Sequence, residues 1–264
     1  METWFFKAAF AVVLVLSGTA LFFFTLTRGA LLVRGLLGGE KKPDSHVYPI
    51  YSNMKLIRLI DFQPIISAIL LFQYHRLVSI ITESLAKQDL KGKDTLITSC
   101  AFGNVIPRVV EAASDAGTRQ VWIADIIQNE LVHANHKLPS YAGKLKFLQE
   151  DVASLSMPDA SVSANVLFFL LHELPNPVKA VVLNEAVRVL APGGKLYIGE
   201  FHKPSSWVLK VLSWTYFKVF EPYGLALWDT HDPIQQLQGL GFECERRTMF
   251  FDNFQMIVAT KPAA

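Results

Sequence analysis

Two adjacent side chains, His172 and Glu173, offer proton chemistry at the end of the apolar run SANVLFFLLHEL. Histidine exchanges protons near neutral pH, and the neighbouring carboxylate can orient it or hold a divalent metal. Glu173 can equally cap the helix that begins after Pro175. Two further acids stand at the ends of short apolar runs: Asp125 closes QVWIAD and Asp151 follows KLKFLQE. A carboxylate in the first place can accept hydrogen bonds from both hydroxyls of a ribose. An acid in the second can accept one from an adenine amino group. Either alone is weak, because aspartate at a strand end often only caps the next helix. The APGGK turn at 191–195 adds a tight reversal that needs glycine torsions, though PGG is also a generic turn. Their order and spacing behind a first strand–loop–helix unit are uncommon by chance. The first loop, DTLITSCAFGN at 94–104, carries one glycine, Gly103, where nucleotide-type loops carry two or three.

These residues need a frame, and the pattern from Asp94 onward supplies it. TLITSC reads as a strand and IPRVVEAASDAG as a helix closed by Gly117. QVWIADI is a second strand, followed by a helix through QNELVHANHKL. KLKFLQED and SANVLFFLLHEL read as strands three and four, PVKAVVLNEAVRVL as a helix, and the run after APGGK as strand five. ECERRTMFF and QMIVATK suit a terminal antiparallel pair. Such alternation predicts an α/β, Rossmann-like, doubly wound and mostly parallel sheet. A ligand then binds at the strand carboxyl ends, near the reversal of strand order. Before this domain, at 92–264, the spacing of Ile57, Ile60, Ile65, Ile66, Ile69, Leu70, Leu77, Ile80, Ile81 and Leu85 predicts a helical cap at 44–91. Pro64 is placed to start its second helix.

The 264 residues are 51% hydrophobic and only 18% charged, with a positive mean hydropathy of +0.30. That balance points to membrane contact. A net charge of +2 without a basic, aromatic-interleaved cluster gives no ground for a nucleic-acid partner. Cys100 and Cys244 lack metal-type spacing and suit reduced thiols. From Ala8 to Leu26 the chain is uncharged and about as long as a bilayer span requires. A retained single-pass anchor with its linker at 1–43 is expected, with a cleaved signal as the rival. Arg28, Arg34, Lys41 and Lys42 after the span, against Lys7 before it, place the catalytic body on the cytoplasmic side.

Taken together, VWIADI, FLQEDV and LAPGGKLYIGEF resemble the class I S-adenosylmethionine-dependent methyltransferases over roughly residues 92–262. The resemblance implies S-adenosylmethionine as cofactor, held by Cys100, Gly103, Asn104, Asp125, Ile126, Asp151 and Val152, with Ile106 beside the methionine part. LITSCAFGN departs from the usual LDxGCGxGN: Ile97 stands for the acid, Ser99 for the first glycine and Ala101 for the second. The lost acid usually orients the loop or the cofactor's ammonium group. A narrower resemblance, carried by YSNMKLIRLIDFQPIISAILL, FFLLHELP, PGGK and FEPYGLALW, is to the rhodoquinone-biosynthesis methyltransferase-like proteins. It implies exchange of a ring methoxy group of ubiquinone for an amino group, with S-adenosylmethionine as amino donor and manganese as an aid. An ordinary O- or C-methyltransferase on a quinone precursor or other lipid, and a silent scaffold of methyltransferase fold, are the alternatives.

Residues 200–233 crowd aromatic rings with lysines, which suits a bilayer interface or an apolar quinone pocket. Trp207, Trp214, Phe217, Phe220 and Trp228 are the candidate substrate contacts, and a buried helical hairpin is the plain alternative. His172, Glu173, His202 and Tyr223 are the candidate catalytic groups. Glu173, Asp229 and His231 are weak metal candidates, for their ligand spacing is loose. The expected partners are a membrane quinone, the bilayer and other quinone-synthesis proteins.

Overall fold

The computed structural model describes Tyr51, residues 53–263 and scattered positions between 6 and 25. The expected anchor and its linker therefore lie, apart from those positions, outside the described residues. Within the described run from residue 53, three helices precede the sheet: α1 (Met54–Ile60), α2 (Gln63–Ile69) and α3 (Tyr74–Ala86). Asn53 caps α1 by accepting the Lys55 N–H at 2.9 Å, and Pro64 occupies the first turn of α2. Among the described residues no single helix is long and apolar enough to cross a membrane. The α2–α3 pair passes together but bends by 97°. Its apolarity has a simpler use, since α3 buries Tyr74, Leu77, Val78, Ile81 and Leu85 in the same core as the sheet. The predicted cap is thus built into the domain's packing.

The alternating part follows as β1 (Asp94–Thr98), α4 (Val105–Asp115), β2 (Gln120–Asp125), α5 (Gln128–His136), β3 (Leu145–Gln149) and β4 (Val162–Phe168). After these come α6 (Asn176–Val189), β5 (Leu190–Phe201), α7 (Trp207–Val219), α8 (Pro233–Gly239), β6 (Glu243–Met249) and β7 (Phe254–Thr260). The seven strands pair in the order β3-β2-β1-β4-β5-β7-β6. Five are parallel, and β7 runs antiparallel between β5 and β6. Side chains alternate between two cores, as strand geometry requires. Ile97, Val166, Tyr197 and Met256 join the core under α3 and α4. Leu96, Leu167, Leu196, Ile198 and Ile257 join the core under α6 and α8. Winding reverses between β1 and β4, so the crevice at their carboxyl ends is where a ligand should sit.

One sequence expectation is corrected here. The APGGK segment is not a reversal beside the ligand crevice but an irregularity inside β5. Leu190 pairs with Val162 and Lys195 with Ala164, leaving the residues between them bulged. Gly193 supplies the positive φ of +72°. The segment lies at the amino end of β5, whereas the crevice uses the carboxyl end, at Phe201. Its role is architectural, closing β5 against the chain's end through Gly193 N–H on Lys261 O (3.1 Å).

Candidate active site

A cavity of about 590 Å³ opens at the β1–β4 switch. One part of its wall is the loop after β1 (Ser99 to Phe102) with Asp125, Ile126, Ile127, Glu130, Asp151 and Val152. Another part is apolar and aromatic, with Phe168, Phe169, Phe201, Tyr216 and Phe220. Between them stand Tyr51, His172 and Glu173, while α1, α2 and the start of α3 supply Ile60, Ile66, Ile69 and Tyr74.

The backbone is strained on both sides of the switch. Ser99 after β1 and Phe169 after β4 have φ of +74° and +53°. A side chain in this region costs roughly 1–2 kcal/mol relative to glycine, and such outliers gather at functional sites. At Ser99 the torsion survives although the glycine is gone. Its N–H donates to Ala124 O at 2.8 Å and its hydroxyl to Asp125 Oδ2 at 3.2 Å. Asp125 also accepts the N–H groups of Cys100 (2.7 Å) and Ile127 (2.8 Å). Burial raises its pKa despite these donors, which pull the other way. Burial, then the charges of Asp125 and Glu130, push the Cys100 thiol up, so its contribution is a backbone N–H and not a thiolate.

Gly103 and Asn104 do not line the cavity. Gly103 faces the other way, at φ +83°, with Tyr74 so close that a Cβ would meet its hydroxyl. Its N–H donates to Asp61 Oδ1 at 2.7 Å. Lys137 joins the two by donating to Asp61 Oδ1 (2.7 Å) and to Gly103 O (2.9 Å), and Tyr74 donates to Phe102 O at 3.2 Å. Asp61 ends α1 and Lys137 ends α5. A carboxylate from the helical cap therefore orients the loop whose own acid is replaced by Ile97, which is buried in β1. Ile106 is likewise buried in the core under α4.

His172 does not pair with Glu173. Its Nδ1 lies 2.8 Å from Glu200 Oε1, and the same oxygen accepts its backbone N–H at 3.2 Å. Glu200 is fully buried and its other oxygen accepts the Phe201 N–H at 2.6 Å. Burial alone would lower the His172 pKa. The charge of Glu200 and its hydrogen bond, with Glu173 and Glu221 behind, outweigh burial and raise it to about 9. The Glu200 contact thus favours the protonated ring, and Nε2 is the ring nitrogen left to serve a ligand. Glu173 accepts the Tyr51 hydroxyl at 2.8 Å, and burial raises its pKa. It does not cap α6, whose N-cap is Pro175.

The remaining candidates are dispersed. His202 Nδ1 sits 2.9 Å from Asp252 O, outside the cavity wall. Tyr223 lies over the Lys179 ammonium, 5.7 Å from its ring centre, and its carbonyl accepts Lys179 Nζ at 3.0 Å. Of the five aromatic substrate candidates only Phe220 lines the cavity. Phe217 is buried in the core, Trp228 packs on it at 6.1 Å, and Trp207 and Trp214 face outward, 75% and 50% exposed. The physical reason is the amphipathic turn of α7, which sends Tyr216 and Phe217 inward and its tryptophans out. Asp229 pairs with Lys203 at 2.7 Å and His231 Nδ1 lies 3.1 Å from Thr230 Oγ1. No group of three or more His, Cys, Asp or Glu among the described residues is placed to hold a metal, so manganese does not fit this wall.

Sequence reasoning missed Glu200, Glu130, Tyr51, Phe169 and Phe201. Glu200 was findable, for it stands one residue before the carboxyl end of β5, much as Asp125 ends β2. Glu130 reads as a helpful acid in a helix's first turn, and only its burial distinguishes it.

A model of the ubiE/COQ5 methyltransferase family matches residues 60–238. The chain is 30% identical over 123 residues to the ubiquinone/menaquinone biosynthesis C-methyltransferase UbiE of Shewanella pealeana, covering 46% of this chain and 48% of that protein. It is 27% identical over 132 residues to the demethylmenaquinone methyltransferase of Bacillus licheniformis, covering 50% and 55%. The chain spans about half the length of these relatives. The N-methyltransferase NodS of Bradyrhizobium japonicum, solved in complex with S-adenosyl-L-homocysteine, superposes with a TM-score of 0.54 at 14% identity, over 73% of this chain and 88% of that one. At that identity the likeness is one of fold.

Proposed function

The chain belongs to the ubiE/COQ5 methyltransferase family, and from that premise we propose that it is an S-adenosylmethionine-dependent transferase acting on a polyprenyl quinone. One observation carries the reading: a single cavity joins the loop of Ser99 to Phe102 and its neighbouring acids to an aromatic wall containing His172. The cofactor fits on this chain's own terms. Among the described residues the wall carries Asp125, Glu130, Asp151, Glu173 and Glu221, with His172 as its one basic side chain. An acid-rich, half-apolar pocket suits a ligand bearing an adenosine and cationic centres. Asp125 and Asp151 would hold the adenosine part, with Ile126 and Val152 against the base. Bound there, the cofactor supplies the group to be transferred.

The aromatic wall supports a planar, apolar acceptor. Phe168, Phe169 and Phe201 pack edge to face, with Phe169–Phe201 centroids 5.0 Å apart, and shield the site from water. Each methylene buried in a bilayer is worth about 0.8 kcal/mol, so a polyprenyl quinone stays in the membrane and the enzyme must meet it there. The outward face of α7, with Trp207, Val211, Leu212 and Trp214, supports that meeting. A membrane location with the catalytic body on the cytoplasmic side belongs to the same proposal.

The finer reading is replacement of a methoxy group of ubiquinone by an amino group, giving rhodoquinone: the nitrogen would add to the ring carbon, methanol would leave from it, and the nitrogen's bond to the donor's carbon would be cleaved. The buried Glu200 carboxylate 2.8 Å from His172 Nδ1, which favours the protonated ring, supports it. Addition to an oxidised quinone ring places negative charge on a ring oxygen, which an imidazolium at Nε2 stabilises by donating a hydrogen bond. C-methylation, which the name of the UbiE relative describes, instead asks for a proton acceptor, and a ring whose pKa its carboxylate neighbours raise is a poor one. Glu173, bonded to Tyr51, is the acceptor that second reading would use. The test is expression in a ubiquinone-producing host with mass spectrometry of its quinones. An amino-for-methoxy species supports the finer reading, a species heavier by one CH2 supports methylation, and an unchanged quinone pool opposes both.

A further inference from the structure

Glu130 has no task in the scheme above, yet it lies in the cofactor part of the cavity. It sits in the first turn of α5, is 3% exposed, lines the cavity, and its Oε1 has no hydrogen-bond partner. An isolated buried carboxylate oxygen is costly, so a fold that keeps one in a ligand cavity keeps it for the ligand. The carboxylates around it already have protein partners, and Asp125 is in addition the group placed for the adenosine part. Asp125 holds the loop after β1 through Cys100 and Ser99, Asp61 holds Gly103 with Lys137, and Glu173 holds Tyr51.

We propose that Glu130 receives the α-ammonium group of S-adenosylmethionine, the counter-charge that the loop itself lacks with Ile97 in the acid's place. The inference rests on the cofactor reading of this cavity and assigns it a residue. The ligand chemistry is a primary ammonium beside the loop after β1. The groups facing Glu130 are Asp125 from β2, Cys100 from the loop, Asp61 from α1, Lys137 from α5, Glu173 after β4 and Tyr51. Burial first, then the charge of Asp125, raises the Glu130 pKa to about 8, with Lys137 opposing. An arriving ammonium therefore displaces a proton and forms a charge-assisted bond. On the amino-transfer reading the same carboxylate, raised to about 8, takes a proton back from that nitrogen and frees its lone pair for the ring.

Calorimetry on the full chain tests this with two probes, S-adenosylmethionine and 5′-methylthioadenosine, which lacks the amino-acid end. At about pH 6.5, below an α-ammonium near 8 and the raised carboxyl, binding of S-adenosylmethionine should release up to one proton. Comparing buffers of different ionisation heat reads that number without any variant. Glu130→Gln keeps the shape of the protonated acid. It should weaken S-adenosylmethionine by about tenfold to a hundredfold, abolish the proton release and leave 5′-methylthioadenosine unchanged. Equal loss for both probes would mean a structural role and overturn the assignment, as would a variant that binds like wild type. If the wild type binds neither probe, the cofactor reading itself fails, which is a different result.

Discussion

At the scale of single residues, the site is governed by which carboxylate each group finds. His172 finds Glu200, 28 residues on in sequence and across a strand pair, and not its neighbour Glu173. Glu200→Gln should let the His172 pKa fall from about 9 to below its ordinary 6.5, because burial would then be less opposed. Proton–carbon NMR of the His172 ring during a pH titration reads this directly. The sign for stability follows. A histidine raised from 6.5 to about 9 contributes stability that is complete below pH 6.5 and is lost as pH rises through 9. The variant's stability should lack that decline, and an identical pH profile in both proteins would contradict the pairing. Ser99 gives a second test. Ser99→Gly removes the strain at φ +74° but also a 3.2 Å hydroxyl contact and adds unfolded-chain freedom. The net expectation is a gain of a few tenths to about 1 kcal/mol in urea unfolding, whereas a loss would show that the hydroxyl matters more than the torsion. Asp125, Asp151 and His172 were legible because strand ends announce themselves. The His172–Glu200 pairing, the Phe169 torsion and the outward turn of Gly103 were not, since they arise from tertiary contact.

At the scale of elements, the sequence yields the order and type of the sheet's strands and alternating helices, because apolar alternation and helix spacing are local signals, but SANVLFFLLHEL runs six residues past the end of β4 at Phe168. It misplaces what depends on which edge of the sheet a segment reaches. APGGK looks like a ligand turn until β5 is seen to begin on the far side. The α7 region looks like one aromatic surface until its helix divides it into an inner row and an outer row. Lys179, at 1% exposure, is the joint that holds this region to α6. Its ammonium donates to Leu174 O (2.6 Å), Asn176 Oδ1 (3.0 Å) and Tyr223 O (3.0 Å). Lys179→Met keeps the stem but orphans those oxygens. It should cost about 2–3 kcal/mol in equilibrium unfolding and raise hydrogen exchange in 220–228 before the sheet. Uniform exchange across the domain would contradict the joint.

At the scale of the whole molecule, the helix Trp207–Val219 joins the cavity to the surface: Tyr216 lines the cavity, while Trp207, Val211, Leu212 and Trp214 face outward. The exposed tryptophans of α7 should act on membrane affinity and not on folding. Trp207→Ser with Leu212→Ser should lower co-flotation with anionic vesicles severalfold, as loss of two interfacial apolar groups requires, and leave the melting temperature unchanged. Equal flotation would move the membrane contact elsewhere in the chain. The central claim is that one cavity carries a group from S-adenosylmethionine to a quinone ring. Its most direct measurement gives the purified full chain S-adenosylmethionine labelled with 13C in the methyl and 15N in the amino group, together with ubiquinone in lipid nanodiscs, and weighs the extracted quinone. The account predicts label in the quinone, as 15N on the finer reading. Quinone that stays unlabelled while the protein binds its cofactor would contradict it.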